Sequence, residues 1–104
     1  MTPLPTGTAV VPAVLSENIF RPGKGQPLII SIHPLEDGHC TVRVFNMVGE
    51  KVREPFNSDV PANVWLNTSW DGSNEGKEVV GAGIYIVSVQ GAGIHKLMKV
   101  VLLK

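Results

Sequence analysis

Eleven glycines and eight prolines cut this chain into short pieces, and that punctuation constrains the fold more than anything else in it. Neither residue suits the interior of a helix or a central strand. No segment keeps a helical apolar period over three turns. The pieces alternate in twos instead, as half-buried strands do. Leu28, Ile30 and Ile32 fall on one face of a run over 27–33, with Ile29, Ser31 and His33 on the other. Val42 and Val44 oppose Thr41, Arg43 and Phe45 in 40–45. Val64, Leu66, Thr68 and Trp70 oppose Trp65, Asn67 and Ser69 in 64–70. Ile84, Ile86 and Ser88 oppose Tyr85, Val87 and Val89 in 84–89.

Weaker runs complete the set: 14–20, 50–54 centred on Val52, a short piece around Val79 and Val80, and 95–103. The apolar stretch Val100–Leu103 in the last run predicts burial on both faces, as in a central strand. Between the runs lie Arg21-Pro22-Gly23, Asp37-Gly38, Asn46–Gly49, a proline-containing connection over 59–63, a polar loop over 71–76, and Gly91–Gly93. Asp37-Gly38 and Gly91–Gly93 read as hairpin turns. Strands separated by turn signals at this spacing predict an all-β fold, an immunoglobulin-like or fibronectin-type-III-like antiparallel β-sandwich of about seven strands.

A chain of 104 residues is one domain's worth, and 43% apolar residues suffice for a core. Residues 14–104 are assigned to the sandwich. Residues 1–13, with Pro3, Pro5, Gly7 and Pro12, read as the end of an interdomain linker. That segment has no basic residues ahead of its first apolar stretch, so it does not read as a signal peptide. No stretch approaches the length of a membrane span. Nine basic and nine acidic residues give zero net charge without a basic cluster, which speaks against nucleic acid as a partner. The single cysteine, Cys40, excludes an intramolecular disulfide and reads as a small buried hydrophobe.

Four segments together resemble the FlgD-like immunoglobulin-like domains. Trp70-Asp71-Gly72-Ser73-Asn74-Glu75-Gly76-Lys77-Glu78-Val79-Val80-Gly81-Ala82-Gly83-Ile84-Tyr85 is similar to that family's W-D-G-x-(D/N)-x-x-G-x-x-V-x-x-G-x-Y signature. Phe20-Arg21-Pro22 resembles its opening, Val42 to Arg53 (with Gly49 inside) its V-x-V-Y-N-x-x-G-x-x-V-R segment, and Lys96 to Lys104 its closing strand. The resemblance covers nearly all of 14–104. It implies an immunoglobulin-like sandwich and a C-terminal module of a secreted or surface bacterial protein. Related domains cap the flagellar hook or serve as sorting signals in type IX secretion.

The signature residues have structural roles. Trp70 ends its strand on the inward phase and fills the space between sheets. Asp71 and Gly72 suit a tight turn. Gly81 and Gly83 bracket a bend. Tyr85 stands where a tyrosine corner would tie down a crossing connection.

Other residues are candidates for binding or catalysis. Asp71, Asn74 and Glu75 place three oxygen-bearing side chains in one glycine-containing loop, a calcium candidate without EF-hand spacing. His33, His39, Cys40 and His95 lack zinc-ligand spacing. Cys40 has no nucleophile motif around it, and no serine sits in a G-x-S-x-G turn, so the chain is expected to be no enzyme and to need no cofactor. Trp65, out of phase with Trp70, is the candidate contact for a polysaccharide. Protein partners, or a second copy, would meet the strand edges and inter-strand loops; the last strand is the candidate for self-association if it lies at a sheet edge.

Overall fold

The computed structural model describes residues 12–104, and the expected β-sandwich is observed. Eight strands form: β1 (Ala13–Leu15), β2 (Ile19–Phe20), β3 (Leu28–Ile32), β4 (Gly38–Phe45), β5 (Lys51–Val60), β6 (Leu66–Trp70), β7 (Gly83–Gly91) and β8 (Ile94–Leu102). One sheet has the order β1-β3-β6, the other β2-β8-β7-β4-β5. All pairings are antiparallel except β2 with β8. Among the described residues no helix is long and apolar enough to cross a membrane.

The alternating runs supply the core. Leu28, Ile30 and Ile32 from one sheet meet Cys40, Val42, Val44, Val87, Val89, Val100 and Leu102 from the other, each at most 1% exposed. Trp70 and Phe20 close one end of this layer. Burying such side chains contributes roughly 1.5–3 kcal/mol apiece, which is why the period-two pattern dictates the register.

Several expectations are corrected. The run over 14–20 is two strands, not one. The chain leaves the first sheet after Leu15 and enters the second at Ile19, held at the crossing by Ser16, whose amide donates to the Ile29 carbonyl (2.8 Å) and whose hydroxyl accepts from the Ile29 amide (3.0 Å). Asp37-Gly38 is not a hairpin turn. β3 and β4 lie in different sheets, and the Asp37 carboxylate instead accepts from the Ala62 amide of the next crossing connection (2.8 Å). β5 runs to Val60, well past Glu54, with Pro55 inside it. β5 is an edge strand, and its register against β4 shifts between Val42 and Val44, so the missing proline N–H costs no central ladder bond. Val79 makes only an isolated bridge to Ser73.

Gly91–Gly93 does form a hairpin turn. Ala92 (φ 52°) and Gly93 (φ 82°) both take the positive φ that a two-residue type I′ loop requires. β8 is central only in part: β2 pairs with Val101 and Leu102 alone. Val101, on the outer face opposite Ile84, is half-buried rather than fully enclosed. Of the expected linker over 1–13, residues 1–11 lie outside the described residues. Ala13 belongs to β1 and is fully buried.

Candidate functional site

The residues of the family resemblance gather at one end of the sandwich. β6 delivers Trp70 inward between the sheets, 1% exposed, and its indole N–H donates to the Ser73 carbonyl at 2.8 Å. Phe20, at the end of β2, packs with ring centroids 5.9 Å from Trp70. Tyr85, near the start of β7, meets Trp70 edge-on at 5.5 Å. The Tyr85 hydroxyl donates to the Gly81 carbonyl at 2.7 Å, and burial raises its pKa. Tyr85 thereby fastens the bend at Gly81–Gly83 to β7, as a tyrosine corner does.

The turn after Trp70 is built on close approach. Gly72 has φ 85°, and a Cβ there would stand 2.7 Å from Pro22 Cγ and 3.1 Å from Pro22 Cβ. The Asp71 carboxylate accepts from the Ser73 amide (3.0 Å) and from the Ser73 hydroxyl. The Ser73 hydroxyl bond is the main cause of an Asp71 pKa below the usual carboxylate range.

Arg53 joins this corner to the β5 edge. Its guanidinium donates to the Asn74 carbonyl (2.7 Å) and the Ser73 hydroxyl (3.1 Å), and faces the Glu75 carboxylate at 3.6 Å. The Glu75 amide donates to the Val52 carbonyl at 3.1 Å. Asn74 is occupied by its own loop: its side-chain oxygen accepts from the Glu78 amide (3.0 Å). The three calcium candidates are thus each engaged by a different protein partner, Asp71 by Ser73, Asn74 by Glu78 and Glu75 by Arg53. Among the described residues no group of three His, Cys, Asp or Glu side chains is placed to hold a metal ion. Arg53 was legible only as the last letter of the V-x-V-Y-N-x-x-G-x-x-V-R resemblance, and its role in tying the loop was not.

Beside the corner a groove of about 520 Å³ opens between the β4–β5 turn and the 71–78 loop. Glu50 in this groove accepts from the Asn46 amide group (2.9 Å), and the Asn46 side-chain oxygen in turn caps the Val48 and Glu50 amides at 3.1 and 3.0 Å. That pattern, with Gly49 at φ 91°, is a self-satisfied hairpin turn.

The remaining candidates are dispersed. Trp65 is 52% exposed beyond the opposite end of β6, its ring 4.9 Å from that of His33. Cys40 is fully buried in β4, and burial raises its thiol pKa. His39, on the outer face of the same strand, bonds to Asp59 (2.9 Å) and to Asn57, and these bonds raise its pKa. His95 lies on β8, and none of these three histidines shares a cluster with Cys40.

The fold and this corner define an immunoglobulin-like β-sandwich. No protein-family model and no curated protein matches the chain. Among solved structures the chain is similar to PorZ, described as an essential bacterial surface component of the type-IX secretion system of human oral-microbiomic Porphyromonas gingivalis. The match has a TM-score of 0.59 at 17% identity, over 88% of this chain and 11% of that chain. The likeness is therefore one of fold, to a small part of a much longer protein.

Proposed function

We propose that this chain is a FlgD-like immunoglobulin-like domain serving as a non-catalytic interaction module, the C-terminal domain of an exported bacterial protein at the cell surface or beyond it. One observation carries the reading. The residues shared with that family (Phe20, Pro22, Trp70, Asp71, Gly72, Tyr85) are spent on one another and on the adjoining Ser73 and Gly81, and so act as a lock on the fold. Recognition then falls to strand edges and loops, as on other rigid β-scaffolds. The likeness to part of a type IX secretion surface component supports the setting, and attachment, stabilisation or sorting of a parent protein is the expected task.

An immunoblot of the native organism with an antibody to this domain tests the reading. A band far larger than 11.2 kDa in the envelope or culture fraction is expected. A band near 11.2 kDa inside the cell would overturn it and favour a standalone, self-assembling subunit. The half-exposed Trp65 favours a second reading, polysaccharide binding. Its mark would be retention on an insoluble polysaccharide that Trp65→Ala abolishes.

A further inference from the structure

Strand β8 is paired along its whole length by β7, from Gly91↔Ile94 to Gly83↔Leu102. On its other side β2 covers only Val101 and Leu102. The amides of Val101 and Leu103 donate across that side to the carbonyls of Asn18 and Phe20, both at 2.9 Å. Peptide groups alternate along a strand, so the N–H and C=O groups of His95, Leu97 and Lys99 point the same way. There, among the described residues, no strand hydrogen-bonds to them, because the chain before Ile19 turns off to the first sheet, where β1 passes near β8 without pairing with it.

The side chains along this open edge are apolar at the centre with His95 and Lys99 at the flanks. Leu97 is 63% exposed at its centre. His95 and Lys99 flank it on the outer face, and Lys96 follows the inner phase opposite Val89. No carboxylate lies on β8, and the β7 residues opposite the outer-face positions are Gln90, Ser88 and Ile86. Neither lysine forms an ion pair among the described residues. A second copy is a poor occupant. An antiparallel pair centred on Leu97 would set Lys99 against His95 and supply no anion to Lys99, so it would lack the opposite-charge pairs that stabilise neighbouring strands.

We propose that the open edge of β8 over 95–99 takes up an extended segment of a protein partner as an added strand, with acidic, apolar and acidic residues at alternate positions facing His95, Leu97 and Lys99. The partner's backbone fills the six groups left unpaired among the described residues, its apolar residue covers Leu97, one carboxylate supplies the counter-charge that Lys99 lacks, and the other faces the His95 ring as a hydrogen-bond acceptor. This rests on the interaction-module reading for its biological setting and on the edge geometry for its chemistry.

The test titrates the isotope-labelled full chain with a blocked peptide, Thr-Thr-Glu-Thr-Val-Thr-Glu-Thr-Thr, and with the same peptide carrying lysine for glutamate, following amide chemical shifts. The acidic peptide is expected to perturb the His95, Leu97 and Lys99 amides and to bind roughly tenfold more tightly than the basic one, with the preference fading as salt is added. Leu97→Pro removes an outward N–H that β7 does not use and is expected to abolish the shifts. Should that variant fail to fold, the His95→Glu/Lys99→Glu double variant, changed only on the outer face, is expected to prefer the basic peptide. Equal binding of both peptides, no binding of either, or shifts confined to loops would overturn the proposal. So would edge amides already slow to exchange in the free chain (an edge covered by residues 1–11), or a dimer in sedimentation (an edge covered by a second copy). Failure here leaves the exported-module reading intact, whereas a short intracellular band on the immunoblot would sink that reading and leave this edge chemistry standing.

Discussion

Replacing Gly72 by alanine isolates the contact on which the signature corner turns. Two costs are added at once. The residue holds φ 85°, where an L side chain is strained by about 1–2 kcal/mol. The new methyl would also stand 2.7 Å from Pro22 Cγ, far inside the roughly 3.5–4.0 Å of a comfortable carbon contact. Pro22 is a ring on the short 3-10 turn Pro22–Lys24 and cannot swing aside as a long side chain would, so overpacking adds about 1–3 kcal/mol. The sum is a loss of about 2–5 kcal/mol from a domain whose kind has about 5–15 in hand. At about 4–8 °C per kcal/mol for a domain near this size, the midpoint falls by about 8–40 °C. Thermal and urea unfolding of three variants measures this. Gly49→Ala carries the positive φ (91°) but has nothing within 4 Å, so it reports strain alone. Gly81→Ala has open space and no such φ, and is expected to be neutral or slightly stabilising, by at most about 1 kcal/mol. If Gly72→Ala loses no more than Gly49→Ala, the close approach of Gly72 to Pro22 is refuted.

Three further outcomes are expected. Trp70→Ala should cost about 3–5 kcal/mol in the same unfolding assays, because it empties the space between Phe20 and Tyr85 and orphans the Ser73 carbonyl. Tyr85→Phe should cost about 1 kcal/mol, the net worth of the bond to Gly81, with the aromatic packing kept. The folded-state pKa of Asp71 is depressed, so its stabilisation is present above the ordinary carboxylate pKa and is lost as pH falls through the lower folded value. Asp71→Asn keeps an acceptor for the Ser73 amide, and its stability should therefore depend less on pH on the acid side than that of the parent chain, in urea melts across that range.

The strands with strict alternation were legible because burial on one face permits only one register: β3, β4 and β7 appear almost as read. The corner was legible for a related reason, since Trp70, Gly72 and Tyr85 have residue-specific jobs that few other side chains can do. What did not show was where the chain changes sheets. Val14 to Phe20 keeps a strand-like pattern through the crossing, because Ser16 satisfies the backbone there through its own hydroxyl. Asp37-Gly38 has the composition of a hairpin turn, but its carboxylate is claimed by Ala62, a partner distant in sequence. Pro55 hid the length of β5, for a proline is tolerable only on an edge, and edge position is a property of the assembled sheet. The half-open flank of β8 was hidden likewise: its apolar ending reads as central, and the shortness of β2 leaves 95–99 without a partner strand among the described residues.

If the signature tryptophan is a structural lock while the surface is left for recognition, the two tryptophans of the chain should behave differently, and one serves as control for the other. Hydrogen exchange of the two indole N–H groups by NMR tests it most directly. The Trp70 indole, buried and bonded to the Ser73 carbonyl at 2.8 Å, is expected to exchange only as the domain opens, and the Trp65 indole, on a residue 52% exposed, to exchange close to the solvent rate. Equal, fast exchange at both, or protection of Trp65 alone, would contradict it.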